Sequence, residues 1–449
     1  MLTRREGALS DNTLVIGYAY DAFGRLSLRT HTVAGTPVYQ LQLAYDDVGR
    51  IRRKIETVSG ATGTYDYTYD VDGQLTEVRR DGTLIEQYGY DPNGNRTSTL
   101  TATAAYDEQD RLLQQGGTSY TFDADGYLTQ RGTDTFIYSA RGELLLATVG
   151  GQTTTYSYDG LGRRIGKTDA GGTYQYLYGN PGNPFQVTAS RDASGVLTTY
   201  FHDTTGNLFA FERNGQRYYV ATDQLGTPKA VTDQTGTAVK IAEYDAWGVK
   251  LSDTTPTFEL PVGFAGGIPD DVTGLVRFGW RDYEPRTGRW TAKDPILFGG
   301  GQGNLFVYTF NDPVNHSDRS GLQPFLPAPI GPGNYGGGPM TTIGGTAGWF
   351  AGASVGAYAG ASAGLELGMT YGGLIGLPAG PLGSFAGAIV GGIAGSAIGG
   401  LTGGMAGGFV GRWIGHKFEP PWAGYPNWGE DEMLNEWLRR HRNPCWKGK

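Results

Sequence analysis

The sequence predicts a mostly β protein, built from repeated β-hairpins and followed by an α-helical tail. Two observations lead to this prediction. A motif centred on Tyr-Asp recurs eight times over the range 17–165, and from position 344 onward glycine recurs at every fourth position. With 449 residues, 75 of them glycine and 28 tyrosine, the chain is long enough for several domains.

The repeated motif reads aromatic, any residue, Tyr-Asp, two residues, glycine, a polar residue and an aliphatic residue. Successive copies follow one another at short intervals of similar length. Their anchor aromatic residues are Tyr20, Tyr45, Tyr69, Tyr90, Tyr106, Phe122, Tyr138 and Tyr158. Such self-similarity indicates a repeat architecture in which each unit buries its apolar face against its neighbours.

One unit has the pattern of a β-hairpin. Before the aspartate, aromatic residues alternate with small or polar ones, as in a strand with one buried face. Asp-x-x-Gly favours a turn, because aspartate bonds nearby backbone and glycine accepts a positive φ. We expect the tyrosines to form a ladder of cross-strand aromatic pairs, and the long sheet to curl or close. The alternative is an ordinary β-sandwich with chance Tyr-Asp pairs, which eight aligned copies disfavour.

Composition excludes several classes of function. The formal net charge is −8 and no basic stripe is present, so no nucleic acid is expected as a partner. Cys445 is the single cysteine, which excludes an intrachain disulfide and a cysteine-based zinc site. We expect neither a metal nor a cofactor. The N-terminal sequence lacks the apolar core of a secretory signal. Because Met1 stands inside repeat-like sequence, we expect the chain to be part of a longer protein.

The repeats resemble the YD repeats of Rhs (rearrangement hotspot) proteins. Residues 221–248, ATDQLGTPKAVTDQTGTAVKIAEYDAWG, resemble that family's TDHLGTP…YDPWG stretch. Residues 264–296 and 304–322 are similar to the Rhs-associated core that closes the shell. The resemblance covers roughly the range 15–322. It implies that the hairpins spiral into a hollow β-barrel shell, or cocoon, which encloses a C-terminal toxin that differs from member to member.

Two aspartates in this core are candidate catalytic residues. Asp294 stands in the stretch KDPI and Asp318 in SDRSGL, and Arg281 precedes both of them. Taken alone, Asp-Pro and Asp-x-x-Gly are common turns. The resemblance implies an aspartyl-protease pair that cuts the chain between Leu322 and Gln323, with Arg281 stabilising a carboxylate or the oxyanion. Such a pair needs carboxylates close enough to share a proton, so that one acts as base and the other as acid.

One position departs from the family pattern. The usual DPSGL is DRSGL here, with Arg319 where proline is expected. Unlike proline, arginine does not fix the backbone angle φ, and it adds a positive charge beside Asp318. We interpret the nearby His316 as a turn residue.

The tail carries the glycine register in two arms, which meet at the turn signal LPAGPLG. Glu366 is the single charged residue between Ile343 and Gly411. Each arm exceeds the roughly 20 residues that cross a bilayer core. The glycines expected to form the membrane hairpin include Gly348, Gly352, Gly356, Gly360, Gly364, Gly387, Gly391, Gly395, Gly399 and Gly403.

Physical chemistry favours a membrane for these arms. Glycine costs a water-exposed helix about 1 kcal/mol relative to alanine. In lipid, every backbone N–H and C=O group needs a hydrogen-bond partner within the protein, and an apolar segment satisfies this requirement by forming a helix. Small residues four positions apart then allow two helices to pack closely. The register therefore predicts a glycine-zipper hairpin that inserts into a membrane and self-associates. The alternatives are a flexible Gly/Ala linker and a segment that translocates a downstream domain.

The last residues, 416–449, are rich in tryptophan and carry a cluster of arginines near their end. A membrane–water interface suits the four tryptophans of this tail, Trp422, Trp428, Trp437 and Trp446. The alternatives are a short amphipathic cap docked on the shell and a small enzyme that uses His441 and Cys445.

The expected organisation is a YD-repeat β-shell over 1–250 and a self-cleaving core over 251–322. A Pro/Gly linker (323–342), the glycine-zipper hairpin (343–415) and the Trp-rich tail (416–449) follow.

The expected function is an Rhs-family toxin used in interbacterial competition. Its shell encloses and cuts loose a membrane-inserting, pore-forming or depolarising segment. It is secreted, or delivered into a neighbouring bacterial cell, without a signal peptide, and a contact-dependent machine such as type VI secretion is the expected route. Expected partners are the target membrane, a cognate immunity protein, a chaperone and a secretion-spike component. The alternatives are an enzymatic toxin tail and a non-toxic surface or structural YD-repeat protein.

Overall fold

The chain folds into antiparallel sheets whose strands follow one another in sequence order. The computed structural model describes residues 2–4 and 13–322. The predicted linker, glycine-zipper hairpin and tail, residues 323–449, lie outside the described residues. For the described residues, the predicted mostly β fold is confirmed.

Two large sheets contain the repeats. The strands of the first are β1 (Leu2–Arg4), β2 (Leu14–Tyr20), β3 (Leu26–Val33), β4 (Thr36–Tyr45), β5 (Ile51–Val58), β6 (Ala61–Tyr69), β7 (Leu75–Arg80), β8 (Thr83–Tyr90) and β9 (Arg96–Thr99). The strands of the second are β10 (Ala104–Tyr106), β11 (Leu112–Gln115), β12 (Thr118–Phe122), β13 (Leu128–Arg131), β14 (Asp134–Tyr138), β15 (Leu144–Val149), β16 (Gln152–Tyr158), β17 (Arg164–Asp169), β18 (Gly172–Leu177), β19 (Ala189–Arg191), β20 (Leu197–His202), β21 (Leu208–Arg213), β22 (Gln216–Thr222), β23 (Pro228–Thr232), β24 (Ala238–Tyr244) and β25 (Lys250–Asp253).

A smaller sheet follows the repeats. Its strands are β26 (Ile268–Asp270), β27 (Leu275–Phe278), β28 (Arg281–Glu284) and β29 (Arg289–Trp290). Short 3₁₀ turns occur at Phe264–Gly266, Leu297–Gly300 and Thr309–Asn311.

The predicted turn chemistry is confirmed in the repeats. Each anchor aromatic residue is the last residue of a strand, and a turn follows it directly. After Tyr20, the Asp21 carboxylate accepts hydrogen bonds at 2.9 Å from the N–H groups of Phe23 and Arg25. Gly24 has a φ of +77°, a conformation that side chains disfavour. The same aspartate turn continues beyond the eight copies, at Asp192, Asp203, Asp223, Asp233 and Asp245.

Hydrogen bonds and arginines connect one hairpin to the next. The Tyr45 hydroxyl donates to the Leu26 carbonyl at 2.7 Å. Arg25 bonds Asp21 at 2.7 Å and places its guanidinium 4.4 Å from the centre of the Tyr45 ring. At Tyr45 and Tyr69, where the expected ladder would place another aromatic ring, the group over the anchor ring is an arginine of the preceding turn, Arg25 and Arg50 respectively.

The two large sheets share one hydrophobic core. Its buried side chains include Ile16 and Leu41 of the first sheet and Tyr219 of the second. Charges also cross this boundary, since Lys229 Nζ lies 3.2 Å from Glu56 Oε2. Both residues are buried, so the contact between the sheets is apolar and ionic together.

The C-terminal segment of the described chain, residues 258–322, follows the repeats and forms hydrogen bonds to hairpins of both large sheets. Asn315 donates to the Tyr69 hydroxyl of the first sheet at 2.9 Å. Arg164 of the second sheet donates to Asp282 at 2.7 Å. These contacts fix the position of the segment that carries the candidate catalytic residues.

Candidate functional site

Arg281, Asp294 and Asp318 meet at one buried point of the C-terminal segment. Arg281 is the first residue of β28, Asp294 follows β29, and Asp318 lies in the last described turn. Arg281 Nη2 lies 2.8 Å from Asp294 Oδ2 and 3.4 Å from Asp318 Oδ2. Each of the three residues is at most 4% exposed. The structure therefore brings together the residues that the sequence singled out.

The guanidinium of Arg281 connects the two carboxylates. No hydrogen bond joins Asp294 directly to Asp318 in the described part of the chain. Burial lowers the pKa of Arg281, and the two aspartates oppose this shift. The Trp290 ring lies 4.0 Å from the guanidinium carbon and covers it. In this geometry the two carboxylates share the Arg281 guanidinium, whereas the family resemblance implied that they share a proton.

Arg281 and Asp318 also hold in place residues 318–322, the segment that ends at Leu322. Asp318 Oδ1 accepts hydrogen bonds from the N–H of Gly321 at 2.8 Å and from that of Leu322 at 3.2 Å. Arg281 Nε donates to the Gly321 carbonyl at 2.6 Å. The peptide before the predicted cleavage point is thus bonded to two of the three candidate residues.

Because Gly300 has no side chain, a small space remains between Asp294 and Leu322. A Cβ atom at Gly300 would lie 2.9 Å from Asp294 Oδ2 and 3.0 Å from the Leu322 carbonyl oxygen. Both oxygens therefore border the same small space. The Asp294 carboxyl therefore faces this carbonyl across a gap that one water molecule can bridge.

The electrostatic environment makes Asp294 the candidate proton donor. Burial raises the pKa of Asp294 to about 6. Arg281 and the Ile296 N–H oppose the rise, whereas the charge of Asp318 adds to it. A carboxyl group with such a pKa is protonated in part near neutral pH, as general acid catalysis requires.

Some site residues were not found from the sequence. Trp290 and Gly300 belong to no motif that points to chemistry, and their roles depend on the fold. His316 Nδ1 lies 3.3 Å from Asp312 Oδ2 within a turn, which agrees with its interpretation as a turn residue.

The remaining predicted positions fall beyond Leu322. Gln323, the glycines of the predicted membrane hairpin, and His441 and Cys445 lie outside the described residues. In the described ranges 2–4 and 13–322, no group of three or more His, Cys, Asp or Glu side chains is placed to hold a metal ion. No helix in these ranges is long and apolar enough to span a membrane.

Comparison with known proteins shows similarity over most of the described chain. The family described as Teneurin YD-shell matches residues 3–314. Teneurin-3 of Mus musculus is 36% identical over an alignment of 329 residues, and the match covers 68% of this chain and 12% of teneurin-3. Teneurin-m of Drosophila melanogaster is 33% identical over 309 residues, 66% of this chain and 11% of that protein. The chain thus spans about 12% of the length of such relatives.

Two solved structures show a more distant likeness. The Photorhabdus luminescens Tc holotoxin pore has a TM-score of 0.46 and 17% identity, covering 70% of this chain and 20% of that chain. The TcdB2-TccC3 crystal structure has a TM-score of 0.46 and 18% identity, covering 72% and 21%.

Proposed function

Because the chain belongs to the Teneurin YD-shell family, we propose that its YD-repeat shell cuts the chain after Leu322 and frees residues 323–449. One observation carries this proposal: Arg281 holds two buried carboxylates beside the Leu322 carbonyl. Such an arrangement suits hydrolysis of the peptide bond that follows, within the same chain.

In the proposed reaction a water molecule attacks the carbonyl carbon of Leu322. Asp318 takes one proton of the water, while Asp294 donates its proton to the carbonyl oxygen. The tetrahedral intermediate returns a hydroxyl proton to Asp294 as Asp318 protonates the leaving nitrogen of Gln323. The C–N bond breaks and leaves a carboxyl group on Leu322 and an amine on Gln323. Arg281 orients both carboxylates and balances their charge.

The freed segment is a membrane-active toxin in this proposal. Support comes from the four-residue glycine register of 343–415 and from the near absence of charge there. The shell keeps this apolar segment from the producer's own membrane, and an immunity protein protects the producer. Delivery reaches a neighbouring bacterial cell with the help of a chaperone and a secretion-spike component.

The similarity to teneurins keeps a second function open. The chain would then be a structural YD-repeat protein whose tail is not toxic.

Expression of the full chain in bacteria, in the cytoplasm and exported to the periplasm, distinguishes these functions. Growth and membrane potential are followed for the native chain and for Asp294→Asn, with Asp271→Asn as control because Asp271 is an exposed turn residue. Depolarisation with growth arrest that Asp294→Asn abolishes supports the membrane toxin. Arrest with an intact potential indicates an enzymatic tail, and normal growth in both compartments indicates the structural protein.

A further inference from the structure

We propose that the chain binds a small oxyanion of the phosphate class in a cavity between Arg164 and Arg277, which are buried, and Arg319, which is half-buried. The cavity lies beside the segment that ends at Leu322, and it is distinct from the carboxylate site. Binding is expected whether or not the chain is cleaved.

The cavity has a suitable size. Its volume is about 70 Å³, and its walls include the three arginines with Gln186 and Gly206. One water molecule requires roughly 10–15 Å³ of such space. The cavity therefore has room for several non-hydrogen atoms, as a phosphate ion requires.

Positive charge exceeds negative charge around this cavity. Arg164 and Arg277 pair with the same carboxylate, Asp282, at 2.7 and 2.8 Å. Arg319 forms no salt bridge with any described residue. Its hydrogen bonds go to neutral oxygen atoms of Ala265, Thr205, Asn207 and Leu225. Because a charge that is withdrawn from water is costly unless it is paired, a bound dianion would stabilise the two buried arginines and the half-buried Arg319.

The charges of Asp203 and Asp223 act on Arg319 at longer range. Burial lowers the pKa of Arg319. The two carboxylates oppose this shift without cancelling it. Neither carboxylate is among the residues that line the cavity.

Several donors are available to a ligand. Nε and Nη2 of Arg277 are buried, and neither has a hydrogen-bond partner among the described residues. A Cβ atom at Gly206 would lie 3.4 Å from Arg319 Nη1, 3.5 Å from Gln186 Nε2 and 3.6 Å from Asn183 Nδ2. Three side-chain nitrogens thus converge on space that a glycine leaves open. Asn183 is exposed, so solvent reaches this side.

The cavity also adjoins the cleavable segment. Gly279 lines it, and a Cβ atom at Gly279 would overlap the Ser320 carbonyl. The N–H of Trp280 donates to that carbonyl at 2.9 Å. Arg319 stands where the Rhs pattern has proline, so the departure from the pattern supplies one of the three cations.

Isothermal titration calorimetry of the full chain with inorganic phosphate, at constant ionic strength and neutral pH, tests the proposal. We expect saturable binding of one phosphate per chain and a higher thermal midpoint. Arg319→Gln should weaken binding at least tenfold, and Gln186→Leu should weaken it measurably. Arg52→Gln, a change at an exposed arginine of β5, should bind as the native chain does.

Three outcomes would overturn the proposal. They are the absence of phosphate binding to the native chain, equal heats with chloride, and equal affinity of the Gln186→Leu and Arg52→Gln variants. The Gln186 variant keeps the test decisive if Arg319→Gln does not fold.

Discussion

Asp294 shows how burial prepares a single residue for chemistry. Its carboxyl group is removed from water, which raises its pKa to about 6, while Arg281 at 2.8 Å opposes full neutralisation. The carboxyl can therefore hold a proton at mildly acidic pH and lose it above neutrality. Folding stability follows the same titration: the contribution of Asp294 is present below its unfolded pKa and is lost as the pH rises through about 6.

The rate of cleavage should depend on pH through this residue. Since the proposed acid is protonated Asp294, the rate should fall as the pH rises from mildly acidic to mildly basic values, with a midpoint near the pKa of about 6. Unfolded chain is diluted into refolding buffers across this range, and fragments are quantified on gels. A rate that is constant across the range would contradict the assignment of Asp294 as the acid.

Gly300 should be intolerant of any side chain. A Cβ atom there would come within 2.9 Å of Asp294 Oδ2, so Gly300→Ala should displace the carboxyl and slow cleavage at least tenfold. Gly299→Ala is the matched control, because its Cβ would meet its nearest neighbour, Ile296, at an ordinary 3.7 Å. Equal rates for the two variants, measured by the same refolding assay, would exclude the close approach.

The hairpin repeat is held together by hydrogen bonds from side chains to backbone. Each turn aspartate satisfies N–H groups of its own turn, and an anchor hydroxyl reaches a carbonyl of the preceding hairpin. Tyr69 differs from Tyr45 in one respect. Its hydroxyl donates to Ile51 and also accepts from Asn315 of the C-terminal segment.

This difference should appear in stability. Tyr45→Phe removes one hydrogen bond and should cost about 1 kcal/mol of unfolding free energy. Tyr69→Phe also leaves the Asn315 amide with one partner fewer, and should cost about 1 kcal/mol more. Denaturant unfolding of the full chain measures both. An equal cost would show that the contact with Asn315 contributes nothing.

The hairpins were predictable from sequence because their determinants are local. Asp46, Gly49 and Arg50 interact within one turn, so a short motif encodes the structure. The later turns at Asp203 and Asp223 share this chemistry, but they lack the tyrosine that made the first copies visible. The meeting of residues 281, 294 and 318 depends on packing across the C-terminal segment, and only the family resemblance indicated it.

A buried ionic contact connects the two large sheets. Burial raises the pKa of Glu56, but the ammonium groups of Lys54 and Lys229 and the Tyr39 hydroxyl outweigh it, and the pKa falls to about 2. Glu56 therefore stabilises the fold above its unfolded pKa, and this contribution is lost as the pH falls through about 2.

Removal of one partner should destabilise the fold more at this buried contact than at a surface ion pair. Lys229→Met leaves Glu56 with one ammonium partner and should destabilise the fold by about 3 kcal/mol at neutral pH, less in strong acid. Arg53→Met removes the exposed pair with Asp66 and should have little effect. Thermal unfolding of both variants measures the difference. Similar midpoints would show that the contact does not join the sheets.

Self-cleavage after Leu322 is the step on which the proposed function depends. Mass spectrometry of the purified full chain, with sequencing of the new amino terminus, tests it most directly. We expect two fragments, one ending at Leu322 and one beginning at Gln323, for the native chain and for Asp271→Asn. Asp294→Asn and Asp318→Asn should remain intact. A folded native chain that stays whole, or a cut that persists in both variants, would contradict the claim.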